Sequence, residues 1–285
     1  MNPERTVLFL AHAYPWRWLT TSIDYHIHTF LSGDAKGEIS DCVKIAAGKK
    51  LEEIGISDHF APQKLRDKLD PPPNYEKISD YMKKVDDAKG KVMGLIKLKI
   101  GVEVDFIPEL EDEIREALKG LPFDYVIGSV HFMGNWAFDN PKYIMEYQKW
   151  DLATLYEKYF VAVQACAESK IFDVIGHPDL IKKFGYKPKK DITDLYIATA
   201  KVFKENDVCI EVNTSGLRYP CKEIYPNKQF LKICYDEGVQ ITFGSDAHTP
   251  ENIGRDFDKA LSLVKEVGYN FVTIFTRRRK QLKEI

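Results

Sequence analysis

No apolar run in the chain approaches the roughly 18–20 residues needed to cross a bilayer, which excludes a helical membrane protein. Cysteine is scarce and unpatterned. Cys42, Cys166, Cys209, Cys221 and Cys234 are odd in number, widely spaced and contain no C-x-x-C pair. A disulfide framework is therefore not expected, and a reducing cytoplasm fits. A charge excess of either sign is also missing: 41 Lys and Arg face 43 Asp and Glu, a net charge of −2. Dedicated nucleic-acid or membrane-surface binders usually carry a basic excess, so neither is expected. A small anionic substrate stays open, because it needs only a few local cations. Repeats, low-complexity segments and Gly/Ser linkers are lacking as well. What remains is ordinary for a globular protein: 285 residues, 44% apolar and 29% charged, enough to bury a large core.

Residues 1–22 read as an atypical extension ahead of a domain spanning 23–285. Thr6 to Ala13 is weakly apolar and ends in the small-x-small pattern Ala11-His12-Ala13. It is shorter than a secretory core, and Glu4 cancels Arg5, so a signal peptide is not expected.

From Ile23 onward the pattern is a short apolar run followed by an amphipathic helix. Strands are predicted at Ile23–Ile27, Ile54–Ser57, Leu98–Val104, Tyr125–Val130, Val174–Gly176, Val208–Val212, Ile241–Gly244 and Phe271–Phe275, all Val- and Ile-rich with polar borders. Helices are predicted from Ile107-Pro108 to near Gly120, along the Leu152, Leu155, Tyr159, Val163 stripe, over 191–206 and over 250–268. This alternation implies an α/β fold with a mainly parallel sheet, and seven or eight strands favour a barrel. The cluster Pro71-Pro72-Pro73 lies in a polar stretch from about Pro62 to Tyr75 and reads as a lid or rim loop.

The histidines carry the functional signal. Of the seven, His26 and His28 end the first predicted strand, His59 follows the second, His131 the fourth, His177 the fifth and His248 the seventh. Only His12 falls outside this set, and no role is expected for it. Glu103 ends the third strand and Asp246 follows the seventh. Strand C-termini of a parallel barrel converge on one face, where such folds build their sites. In Asp24-Tyr25-His26-Ile27-His28 the two imidazoles are two apart on a strand and point the same way. Imidazole and carboxylate ligands together suit Zn, Mn or Fe. Six imidazoles in one barrel mouth without metal would be hard to satisfy by hydrogen bonds.

The ordered set is H-x-H, D-H, E, S-V-H, G-H-P-D and S-D-A-H. With it stand Asp24-Tyr25-His26-Ile27-His28-Thr29, Gly176-His177-Pro178-Asp179-Leu180-Ile181, Glu211-Val212-Asn213-Thr214-Ser215-Gly216-Leu217-Arg218 and Gly244-Ser245-Asp246-Ala247-His248-Thr249-Pro250. In these stretches the chain resembles the PHP (polymerase and histidinol phosphatase) family, and within it the histidinol-phosphate phosphatase branch, from about Ile23 to Arg278. The resemblance implies a distorted, TIM-like (β/α)7 barrel with three divalent metal ions. His26, His28, Glu103 and Asp246 would bind the first, Glu103, His131 and His177 the second, and His59 and His248 the third. Asp34, six residues after His28, stands where the family supplies another ligand to the third metal, often a histidine.

The implied activity is hydrolysis of L-histidinol phosphate to L-histidinol and phosphate, a step of histidine biosynthesis. The nucleophile would be a hydroxide bridging the first two metals, with Glu103, Asp246 and His248 as catalytic residues. Asp24, Asp58 and Asp179 are candidates for orienting imidazoles. Arg218 and Arg255 follow strands six and seven and are candidates for the phosphate; Lys182 is a weaker one. Tyr219, Phe132, Trp136 and Glu223 are available to face the amine and imidazole of histidinol phosphate. The run Arg277-Arg278-Arg279-Lys280 reads as a solvated end after the final strand.

Other classes remain open. A phosphoesterase of the same family acting on nucleotides, oligonucleotide ends or phosphotyrosine would share every metal ligand. A barrel amidohydrolase typically bridges its metals with a lysine, where this chain has Glu103. A non-catalytic binding module predicts eroded ligands, and only the conservative Asp34 departs from the pattern.

Overall fold

The computed structural model describes residues 23–66, 71–92, 94 and 96–285. The extension 1–22, with His12, lies outside the described residues. Among the described residues thirteen strands and eight α-helices follow one another in chain order, including a short α2 (Gln63–Arg66) and the small hairpin of β7 (Phe132–Met133) and β8 (Trp136–Ala137). Seven staves of parallel strand form the centre. They are β1 (Ile23–Ile27), β2 with β3 (Glu53–Ile56, His59–Phe60), β4 with β5 (Lys97–Ile100, Glu103–Asp105), β6 (Ile127–Ser129), β9 (Val174–Ile175), β10 (Cys209–Asn213) and β11 (Ile241–Gly244).

Register runs round the ring. Ile54 pairs with Asp24 and Leu98, and Glu103 with His59 and Ile127. Val174 follows against Ile127, Ile210 against Ile175 and Val212 against Phe243. The last stave meets the first where His28 N–H donates to the Ala247 carbonyl at 2.9 Å and Ala247 N–H to that of His26 at 3.3 Å. The fold is therefore α/β, a distorted (β/α)7 barrel. The distortion is visible where Ser57-Asp58 and Gly101-Val102 interrupt two staves.

Strands this short persist because they are buried on both faces, as parallel strands covered by helices must be. Every residue of β1, β2, β10 and β11 is buried. The outer helices include α1 (Ile39–Gly48), α3 (Ile78–Lys91), α4 (Glu111–Leu118), α5 (Leu152–Glu168), α6 (Thr193–Glu205), α7 (Lys228–Asp236) and α8 (Phe257–Val267). Local chemistry starts them. Asp151 caps α5 by accepting from Thr154 N–H at 2.9 Å, and Asn227 caps α7 by accepting from Phe230 N–H at 2.9 Å. On α5 the residues Leu155, Tyr159 and Val163 are buried, as their spacing predicts. None of the described helices is long and apolar enough to cross a membrane.

Two sequence expectations need correction. Phe271–Phe275 is not an eighth stave. As β12 (Phe271–Thr276) it pairs antiparallel with β13 (Arg279–Glu284). The basic run is solvated as expected, with Arg277, Arg278 and Arg279 exposed, but it is a turn and not an end. Arg277 and Arg278, at φ 50° and 66°, form the tight turn of this hairpin. Arg278 pins it by pairing with Asp173 at 2.5 Å, and its N–H donates to the Asp124 carbonyl at 2.8 Å. Phe275 packs on the stacked rings of Tyr25 and Tyr125. Asp124 and Asp173 precede β6 and β9, so the hairpin covers the N-terminal end of the barrel and leaves the other end for the site.

Candidate metal centre

The nine predicted ligands come together at the C-terminal ends of the staves. His26 and His28 leave β1, and Asp34 lies in the loop beyond. His59 opens β3, Glu103 opens β5, His131 and His177 follow β6 and β9, and Asp246 and His248 follow β11.

Their donor atoms form overlapping clusters, and three groups among them follow the expected division. Glu103 Oε2 lies 3.2 Å from His26 Nε2 and 3.5 Å from His28 Nε2, and Asp246 Oδ1 lies 3.9 and 3.4 Å from the same nitrogens. The other oxygen of the same carboxylate, Glu103 Oε1, lies 3.0 Å from His177 Nε2 and 3.6 Å from His131 Nε2, which are 3.4 Å apart. Ligands about 2.1 Å from a tetrahedral ion sit roughly 3.4 Å from one another, so both groups have the span of a coordination sphere. In the third, Asp34 Oδ2 lies 3.2 Å from His248 Nε2 and 3.6 Å from His59 Nε2. His59 Nδ1 is 2.9 Å from Glu103 Oε2, which ties this group to the first.

The donor chemistry fits a cation. His26 Nε2, His28 Nε2 and Glu103 Oε2 are buried, converge and make no hydrogen bond. Buried polar atoms without partners are rare unless something else satisfies them. The charges agree. Burial alone would raise the Glu103 carboxyl, but His26, His59 and His131 hold it well below its usual range. Burial would lower His26, yet Glu211, Glu103 and Asp246 raise it well above an ordinary histidine. His28 moves the other way, down to about 3, through burial and the neighbouring His248 and His59.

The outward nitrogens are held by groups the sequence reading missed. Glu211 Oε1 accepts from His26 Nδ1 at 2.7 Å, and its Oε2 accepts from the backbone N–H of His177 at 2.9 Å. Asp105 Oδ1 accepts from His131 Nδ1 at 2.6 Å. Such carboxylates fix the tautomer and aim the other nitrogen inward. Of the three aspartates expected here, only Asp58 serves, and at one remove. Ser32 Oγ donates to Asp58 at 2.8 Å and receives His28 Nδ1 at 2.9 Å. Asp24 accepts instead from the backbone of Ser245 and Gly254, and Asp179 pairs with Lys182 at 2.7 Å.

Glu211 reaches His26 across an intervening strand because residue 244 is glycine. A Cβ there would stand 1.7 Å from Glu211 Oε1 and 2.6 Å from the His26 Cβ. His177 and Asp246 adopt positive φ, 22° and 51°, a conformation that usually needs support. Glu211 supports the first. Arg218 supports the second by donating from Nη2 to the carbonyls of Ser245 at 2.6 Å and Asp246 at 3.1 Å, and Ser215 Oγ donates to Asp246 Oδ2 at 3.0 Å.

Residues 24–215 match the PHP domain. A protein of Deinococcus radiodurans named probable histidinol-phosphatase is 32% identical over 270 residues, covering 92% of this chain and 100% of that one. The chain belongs to the PHP domain family. The histidinol-phosphatase of Bacillus subtilis is 26% identical over 267 residues, 84% of this chain and 97% of its own. The same fold is seen in the histidinol phosphate phosphatase of Lactococcus lactis, solved with zinc, L-histidinol and phosphate. It superposes with a TM-score of 0.78 at 22% identity, over 91% of this chain and 98% of that one.

Above the PHP centre opens a cavity of about 380 Å³. Its wall includes Pro71, Phe132, Asp139, Lys183 and Tyr219 beside the ligand set. Pro71 brings the proline loop to the rim, and Asn74 N–H fastens it to the Leu31 carbonyl at 2.8 Å. Other expectations fall elsewhere. Lys182 is buried against Asp179 and the Ile224 carbonyl, and its neighbour Lys183 takes the place at the cavity. Glu223 pairs with Lys187 at 2.7 Å, and Trp136 packs on Tyr147 and Trp150; neither lines the cavity. Arg255 is exposed, bound to Asn252 and near Asp256, and the structure does not bring it to the cavity.

A pH dependence follows for the metal-free PHP protein. Burial would depress His131, but Glu103 and Asp105 raise it to about 9, against 6.5 in an unfolded chain. The native state then holds the extra proton between these values, and stability falls as pH rises through that window. Metal needs neutral imidazole, so its affinity should rise over the same interval. Melting scans of the chelated and zinc-loaded protein should therefore diverge steadily from about pH 6.5 to 9. Parallel curves would show that protons and metal do not compete for this site.

Proposed function

We propose that this PHP protein hydrolyses L-histidinol phosphate to L-histidinol and phosphate. One observation carries the reading. Glu103 offers one oxygen to each of two donor groups, under a cavity whose wall carries both a cation and an acid. The relatives named histidinol-phosphatase support the substrate.

In this reading three divalent ions are held, by His26, His28, Glu103 and Asp246, by Glu103, His131 and His177, and by Asp34, His59 and His248. Zinc, manganese and iron all suit these ligands. Bound there, such ions lower the pKa of water and offset the charge of a phosphate dianion. The protein supplies the rest. Water adds to phosphorus, the ester P–O bond breaks, and the alcohol leaves with a proton. Asp246 takes up the proton of the attacking water while Ser215 steadies its second oxygen. His248 is the most exposed of the six imidazoles and is raised in pKa, against burial, by Asp34 and Asp246. As a ligand it must be neutral, so the proton that Asp246 takes from the attacking water passes to the departing alcohol. Lys183 is the donor for phosphate oxygens at the cavity wall, and Arg218, which does not line the cavity, holds the Asp246 backbone behind it. We place the enzyme in the cytoplasm, where its five buried free cysteines stay reduced.

The test is phosphate release by the metal-loaded protein from L-histidinol phosphate, nucleotides, phosphotyrosine and an aryl phosphate, with His131→Ala as the blank. The expected kcat/KM for histidinol phosphate is at least about a hundredfold above the panel, some 2.7 kcal/mol of transition-state preference. Equal or greater activity on another ester overturns the substrate.

A further inference from the structure

Five acids line the cavity, and four of them are committed to imidazoles. Asp34 faces His59 and His248, Glu103 faces His26 and His177, Asp105 holds His131, and Asp246 faces His28. Asp139 alone among them contacts no imidazole. Its Oδ2 lies 3.1 Å from Lys183 Nζ, and that ammonium stands 4.5 Å above the Tyr219 ring. The side chains of Lys183 and Asp139 are only 11% and 23% exposed.

A pair so enclosed contributes little stability, because desolvating both charges offsets their attraction. Its consequence appears when a substrate enters and removes the remaining water. A phosphate dianion draws Lys183 and leaves Asp139 as a buried carboxylate without a counter-charge. An ester that also carries an ammonium group supplies that counter-charge, so both ends of the pair exchange partners and no charge is stranded. Leaving a buried charged group unpaired is among the strongest means by which a site rejects a ligand.

From this we infer that Asp139 is the specificity-determining residue of the cavity, selecting phosphate monoesters whose alcohol bears a cationic amine. The inference rests on the phosphatase reading and assigns a substrate class to it. Asp139 stays ionised in this role. Burial would raise its carboxyl, but the Lys183 ammonium beside it holds it below the usual carboxylate range. It also fills the acidic role that the sequence left to Glu223, whose partners Lys187 and Lys182 lie outside this cavity.

The experiment compares L-histidinol phosphate with its N-acetyl derivative, the same ester without the ammonium, at about pH 8 where free imidazole is neutral. The wild type, loaded with metal, should favour the amine ester in kcat/KM by about thirtyfold or more, mostly through KM. Asp139→Asn should compress that ratio to within about threefold, and Asp139→Glu should restore part of it. Inhibition by L-histidinol should weaken in Asp139→Asn by a similar factor, with metal content unchanged. A ratio preserved in Asp139→Asn, or equal loss on both esters with loss of metal, overturns the assignment. Should the wild type prefer some other ester, the histidinol reading fails separately. The role of Asp139 is then read on 2-aminoethyl phosphate against ethyl phosphate, where a wild type without preference overturns it.

Discussion

Glu103→Gln should cost at least about a thousandfold in kcat and release metal from two groups at once, since even outer partners of metal ligands cost 10–100-fold. The size follows from the geometry. One carboxylate is shared, with Oε2 toward His26 and His28 and Oε1 toward His131 and His177. An amide of the same shape keeps one weak acceptor and turns an NH₂ toward the other imidazoles. It also removes the negative charge that the cluster is built around. His26, His59 and His131 all owe part of their raised basicity to Glu103. The variant's metal content after dialysis, measured beside its activity and far-ultraviolet dichroism, separates loss of the centre from loss of the fold. Wild-type metal content together with more than about a tenth of the activity would refute the bridging role.

Gly55→Ala should destabilise the protein by about 3 kcal/mol, at the upper end of ordinary overpacking. The melting temperature should fall by roughly 6–10 °C. Gly55 and Gly101, on neighbouring staves, make the slot that receives Tyr125. A Cβ at residue 55 would stand 1.9 Å from the Tyr125 hydroxyl, and one at residue 101 would stand 2.2 Å from its ring. Tyr125 cannot retreat. It is fully buried, its ring stacks on Tyr25 at 4.8 Å, and its hydroxyl donates to the Tyr25 carbonyl at 2.6 Å. The strand backbone must move instead, and β2 leads directly into Asp58 and His59. Activity should therefore fall with stability. Gly48→Ala is the control, since a Cβ there meets nothing within 4 Å. A Gly55→Ala protein that melts with the wild type would show that the slot has room.

The gathering of six imidazoles and Asp246 at one rim was readable because it depends on local rules. A strand places residues two apart on one face, and strands of a parallel barrel all end on one rim. His26 and His28 follow the first rule, and His59, His131, His177, Asp246 and His248 the second. Neither rule requires knowing which strand neighbours which.

The groups that aim those ligands depend on that neighbour relation. Glu211 sits in a strand that reads as plain core, and its partner His26 lies two staves away. Only the absence of a side chain at Gly244 lets the two meet. Asp105 and Asp139 likewise gain their meaning from His131 and Lys183, contacts across 26 and 44 residues of chain. The lysine at the cavity was misread by one position. Leu180–Lys182 is a 3-10 turn, in which consecutive side chains point in different directions, so Lys182 is buried while Lys183 reaches the cavity. The final strand was misplaced because apolar alternation is the same in a barrel stave and in a hairpin. The partner decides, and β12 finds β13.

By itself, then, the sequence determined the barrel, the end that carries the site and the chemical type of its ligands, all consequences of periodicity and strand polarity. Tertiary structure decided which carboxylate each imidazole holds, how one glutamate is divided between two donor groups, and which acid and cation are left to meet a substrate. These are matters of distances across strands, and hydrogen-bond and charge energies fall off too steeply with distance for residue order alone to settle them.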